Sequence, residues 1–166
     1  LYNPKYFKVN DVRLVPYVPD LPKDSTFKTR GFLTVSGELA GEPVTVVVCH
    51  WPSRFNGSFY RETAGREVRA VKDSLLRADP GRKVFVMGDM NDDPTNNSMY
   101  EKLGAKENID EVKADEMYNP WYNTLVKGHT GTLKYNGNWN LFDQIVMTPN
   151  LLNQKGRKDF STLKYI

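Results

Sequence analysis

Two apolar runs that break off abruptly into polar residues constrain this chain most. The first, Val44 to Cys49, is apolar except for Thr45 and ends in "HWPSR". The second begins at Val84 as "VFVM" and runs directly into "GDMNDDPTNNS", a loop with three Asp and three Asn. Short runs rich in Val, bounded by Gly and Pro, read as strands, and a run apolar on both faces reads as a central strand covered on both sides. Between the two lies "SFYRETAGREVRAVKDSLLRADPG". It places Val68, Val71, Leu75 and Leu76 at helical spacing and closes with a Pro-Gly stop. Strand, helix, strand implies an α/β fold, in which ligands gather beyond the strand C-termini.

The flanking elements fit that frame. "RGFLTVSGEL" and "PVTVVVCHW", separated by "AGE", predict a hairpin. The four prolines Pro4, Pro16, Pro19 and Pro22 exclude a helix at the start, so "VPYVPDLPKDS" reads as a loop after a short strand near Arg13 to Val15. "SMYEKLG" reads as a short helix with a Gly stop, and "LFDQIVMTP" as a last strand. Residues 105–140 show no clear period. No apolar run approaches the ~20 residues of a membrane span. The single Cys49 excludes an intramolecular disulfide, and a net charge of +3 permits a polyanionic partner without demanding one.

The strand ends carry the chemistry. Asp89 and Asn91 follow one strand, and a carboxylate beside an amide oxygen suits a hard cation. The same residues also make ordinary turns. His50 ends the other strand, where a structural or merely exposed histidine is the commoner case. Asp143 enters the last strand between Phe142 and Ile145, an expensive position unless the acid is paired or serves as a cap. Arg54, beside Ser53, is equally compatible with a bidentate phosphate clamp and with a solvated surface arginine.

"HWPSR", "GDMNDDP" and "GTLKYNGNWNLFDQIVMT", in that order, resemble the endonuclease/exonuclease/phosphatase superfamily over roughly residues 30–150, with its "HWPSR" and "DQI" variants nearest a bacterial, often secreted, branch. The resemblance implies a deoxyribonuclease-like two-sheet sandwich flanked by helices, in α-β-β-α layers, here incomplete. It implies a metal-dependent phosphoester hydrolase, nuclease-like, that uses Mg²⁺ or Mn²⁺ and an activated water. In it His50 matches the histidine that hydrogen-bonds the scissile phosphate, and Asp89 the acid that orients or deprotonates the water near the metal. Asn91 matches the amide that holds a phosphate oxygen or a metal-bound water. Asp143 matches the acid that orients a second histidine. Ser53 and Arg54 fall where substrate phosphate would be held, and Asp89 and Asn91 where the metal would sit. The substrate is then a phosphodiester or phosphomonoester, with nucleic acid among the candidates.

Two family features are missing. The only glutamates before His50 are Glu38 and Glu42, at the hairpin turn, outside the expected Glu motif. No His follows Asp143, so the closing Ser-Asp-His is absent, and His129 reads as a loop residue. The expectation is therefore a partial domain over 1–166, with the segments carrying both motifs cut away, poorly stable and nearly inactive alone. The alternative is a degenerate relative that binds phosphorylated ligands or nucleic acid without turnover, using the interleaved aromatic and basic residues of "WPSRFNGSFYRETAGR".

Overall fold

The computed structural model describes residues 2–20 and 25–151. The final part of the Pro-rich loop, residues 21–24, and the terminal "STLKYI" lie outside the described residues. The elements are β1 (Phe7–Val15), β2 (Phe32–Leu39), β3 (Glu42–His50), α1 (Ser58–Ala78), β4 (Lys83–Asp89), β5 (Ala105–Lys106), β6 (Met117–Tyr118), α2 (Trp121–Val126), β7 (Leu133–Tyr135), β8 (Asn138–Asn140) and β9 (Asp143–Met147). Seven strands form one sheet in the order β1-β2-β3-β4-β9-β6-β5, and β7 and β8 form a separate two-stranded ribbon. The α/β expectation holds. Among the described residues the layers present are this sheet and helices against one of its faces.

The hairpin between β2 and β3 turns on Ala40 and Gly41, both at positive φ (52° and 83°), and closes on the pair Leu39 and Glu42. Two central residues of that hand match the twist of the strands they join. β3 and β4 run parallel, with α1 as the crossover that a parallel pair requires. α1 lays Ala64 and Val68, with Val71, Leu75 and Leu76 beside them, onto Val47, Val84, Val86 and Val146 of the sheet. A Cβ at Gly65 would collide with the carbonyl oxygen of Ser98, so only glycine lets α1 meet the π-helical turn Ser98–Leu103.

β1 is longer than the sequence suggested, nine residues from Phe7 to Val15. It pairs with β2 along that length, but a register shift between Val9 and Asp11 breaks the alternation that would have revealed it. A second correction concerns β3, which was expected to be covered on both faces. Its even-numbered face is covered at Val44 but opens toward the C-terminal end, where Val48 is 38% exposed. Register aligns Leu14, Leu33, Val48, Met87 and Ile145 in one row across five strands of that face. The strand reads as buried because its apolar residues sit on both faces, but among the described residues the helix side is covered along Thr45, Val47 and Cys49 and the other side only near Val44.

Candidate active site

Register, not chain proximity, assembles the rim. His50 on β3 stands opposite Asp89 on β4, and Asp89 stands opposite Asp143 on β9. Neighbouring strands lie ~4.8 Å apart, so the three side chains form one row. By the two-residue period of a strand, this row shares the open face with Val48, Met87 and Ile145. The structure brings His50, Asp89 and Asn91 together at this rim. His50 Nε2 lies 3.8 Å from Asp89 Oδ2, beyond hydrogen-bond length, and both groups are partly exposed.

The loops leaving the three strands are laced together. The Trp51 amide donates to the Asp89 carbonyl (2.9 Å), and the Met90 amide to that of Phe142 (2.8 Å). Gly88 precedes Asp89 at φ 133°, and a Cβ there would strike the Cys49 carbonyl. Asn91 sits at φ 51°; its amide donates to Asp89 Oδ1 (2.8 Å) and its Nδ2 to the Trp51 carbonyl (2.9 Å). These bonds leave Asp89 Oδ2 and Asn91 Oδ1 as the acceptors of the loop.

The other two aspartates of the loop are tied inward. Buried Asp92 accepts from Ser98 Oγ (2.6 Å) and pairs with Arg61 (2.9 Å). Asp93 accepts the Leu141 amide (2.6 Å). Gln144, buried next to Asp143, donates to the carbonyls of Asp92 (2.8 Å) and Leu141 (2.9 Å). The loop is thus divided: Asp89 and Asn91 lie at the rim, while Asp92 and Asp93 anchor it.

Arg54 is a hub. Its Nε donates to the Asn91 carbonyl (3.0 Å), and its terminal nitrogens to Asn140 Oδ1 (3.1 Å), Asp93 (3.1 Å) and Asn96 Oδ1 (3.0 Å). Its guanidinium also lies 4.4 Å from the Phe142 ring centroid. Ser53 is exposed, and its carbonyl accepts from Arg61 (3.0 Å).

One expectation is corrected here, and others gain their structural setting. Asp143 was read as a costly acid inside an apolar strand, but it is exposed, because its parity puts it on the open face. Its position therefore carries no burial penalty. Within "WPSRFNGSFYRETAGR", Trp51 (1% exposed) and Arg61 (5%) are buried and structural, whereas Phe55 (99%) and Phe59 (45%) stand on the surface. Glu42 pairs with Lys83 (2.7 Å) at the far end of β3 from His50, so it is no site ligand. Thr132, missed by the sequence reading, accepts the amides of Phe142 (3.1 Å) and Asp143 (3.2 Å). A lone threonine in a loop carries no signal of that role. Cys49, beside His50, is no nucleophile: it is buried, and that burial pushes its thiol up to about 12.

The donor chemistry suits a hard cation at Asp89 and Asn91, since Mg²⁺ takes one or two carboxylates and completes its shell with water and phosphate. Among the described residues no group of three or more His, Cys, Asp or Glu is arranged to hold a metal. Among them, no helix is long and apolar enough to cross a membrane.

A family model described as "Endonuclease/Exonuclease/phosphatase family" matches residues 1–166. No curated protein matches the chain. Among solved structures, the human Nocturnin catalytic domain with bound sulfate superposes with a TM-score of 0.61 at 14% identity, covering 87% of this chain and 49% of that one. D. rerio TDP2 complexed with single-strand DNA product gives 0.55 at 17% identity, over 87% and 54%. The Bacteroides thetaiotaomicron mannosyl-6-phosphatase Bt3783 gives 0.59 at 14% identity, over 89% and 55%. These likenesses establish the deoxyribonuclease-like fold, and the chain spans about half the length of these structures.

Proposed function

The chain belongs to the endonuclease/exonuclease/phosphatase family, and on that premise we propose that it carries the core of a metal-dependent phosphoester hydrolase. The observation that carries this reading is the in-register row of His50, Asp89 and Asp143, with Asn91 tied beside it. Asp89 and Asn91 would hold Mg²⁺ or Mn²⁺, which supplies charge stabilisation for the non-bridging phosphate oxygens. Asp89 Oδ2, the oxygen not engaged by Asn91, takes the proton of the attacking water. His50 Nε2 hydrogen-bonds the scissile phosphate. Asp143, exposed at the end of the row, orients a partner group through its carboxylate. Ser53 borders the phosphate position. Arg54 acts behind Asn91, where its guanidinium holds the Asn91 carbonyl, in place of the direct clamp expected from sequence. Phosphodiester and phosphomonoester substrates both fit this set. Support for phosphate chemistry comes from the neighbours, one a phosphatase and one holding a DNA product.

The test uses the longest natural polypeptide that carries these residues. Release of product from a generic phosphodiester or phosphomonoester in Mg²⁺ should disappear on exhaustive chelation and in Asp89→Ala. Tight, metal-independent binding of phosphorylated ligands with no turnover would instead establish the non-catalytic reading.

A further inference from the structure

Beside the rim, one element presents two aromatic residues and a lysine on a short two-stranded ribbon. The ribbon β7–β8 turns on Asn136 and Gly137, both at positive φ (48° and 80°). Its base is fixed to the site: Thr132 accepts the amide of Asp143 (3.2 Å), and Asn140 Oδ1 accepts from Arg54 (3.1 Å). Its arms bury none of their side chains, and Tyr135 is 67% and Trp139 41% exposed. Exposed aromatics on a hairpin rooted at the rim are placed to meet a ligand bound there. Charge points the same way. Residues 117–142 hold Lys127 and Lys134 and no Asp or Glu, while the rim itself is acidic. Lys134 stands opposite Trp139 in the ribbon, with its Nζ 5.5 Å from the indole centroid.

We propose that the ribbon β7–β8 is a stacking platform for single-stranded nucleic acid next to the scissile phosphate, with Trp139 stacking a base and Lys134 meeting the adjacent phosphate. The inference rests on the phosphoester reading of the rim and names its substrate class. A ring beside an ammonium matches one nucleotide, a base beside a phosphate. The second aromatic, Tyr135, lies on the opposite ribbon face by the strand period. A monomeric ligand engages one face only, whereas a strand with repeated bases engages both. Sequence-tolerant stacking with phosphate contacts is the usual mode for single strands.

The test measures anisotropy of a labelled oligothymidylate and of an abasic strand of equal length, in chelator, so that cleavage plays no part. The full chain should bind oligothymidylate about tenfold more tightly than the abasic strand. Trp139→Ala should erase that preference and leave abasic binding unchanged. Lys134→Ala should weaken both strands and flatten the salt dependence by about one unit of slope. Equal binding of the two strands by the wild-type chain, or a preference that survives Trp139→Ala and Tyr135→Ala together, overturns the proposal. So does equal loss for both strands in Trp139→Ala. Metal-dependent turnover without strand preference would sink this inference and spare the hydrolase; Trp139-dependent binding without turnover would do the reverse.

Discussion

Asn91 holds a left-handed backbone (φ 51°) at the mouth of the site, and three contacts keep it there: Asp89 Oδ1, the Trp51 carbonyl and Arg54 Nε. Such a conformation costs a non-glycine residue of order 1 kcal/mol and persists only when its surroundings over-determine it. Arg54→Ala removes the contact that also ties Asp93, Asn96 and Asn140 together. Stability should fall by about 1–3 kcal/mol, and kcat by about 10²-fold through misplaced Asn91. Arg54→Lys should rescue little, because an ammonium cannot span these acceptors as a planar fork does. Thermal melts and steady-state kinetics check this. A higher KM with unchanged kcat and melting temperature would mark Arg54 as a phosphate clamp instead. Cys49 offers a simpler test. Buried, with its thiol pushed up to about 12, it should resist thiol reagents at pH 8 in the native state and react fully on unfolding. Rapid native labelling would show that β3 opens.

At the scale of elements, glycines decide how closely the parts meet. Gly88 in β4 combines a φ of 133° with contact against the Cys49 carbonyl of β3. Gly88→Ala imposes both backbone strain and overpacking on the parallel pair that carries His50 and Asp89. A loss of about 2–6 kcal/mol is expected, read as a lower urea midpoint. Gly65→Ala strains only the contact of α1 with the turn at Ser98, and should cost about 1–3 kcal/mol with the rim left intact. If Gly65→Ala abolished rim chemistry while Gly88→Ala spared it, this assignment of the two contacts would be wrong.

The molecule as a whole presents an apolar sheet face next to its polar rim. Leu14, 70% exposed, leads the row through Leu33, Val48, Met87 and Ile145 that ends one step from His50, Asp89 and Asp143. Exposed apolar patches of this kind bind other surfaces. Residues 1–166 alone should therefore bind the dye ANS and self-associate as concentration rises. Leu14→Glu with Val48→Thr should reduce both effects without altering the far-ultraviolet circular dichroism. A monomer that ignores ANS at all concentrations would mean that this face is covered in solution.

Local pattern alone determined much of this. The β2–β3 hairpin, α1, β4 and β9 were legible because each is written in a short window as alternation, helical spacing or a Gly-Pro stop. His50, Asp89, Asn91 and Asp143 were legible as candidates because each adjoins a strand end. What the tertiary structure decided is what depends on residues distant in the chain. Strand register set His50, Asp89 and Asp143 side by side and put Asp143 on the exposed face. Asp92 and Asp93 look like Asp89 in sequence, yet they turn inward because Arg61, Arg54 and the Leu141 amide arrive from elsewhere. Arg54 finds its partners up to 86 positions away, and β1 hides behind a bulge that only its pairing with β2 reveals. Hydrophobic periodicity records which residues prefer to leave water; it does not record which neighbour meets them, and that neighbour separates a carboxylate left at the rim from one turned inward as an anchor.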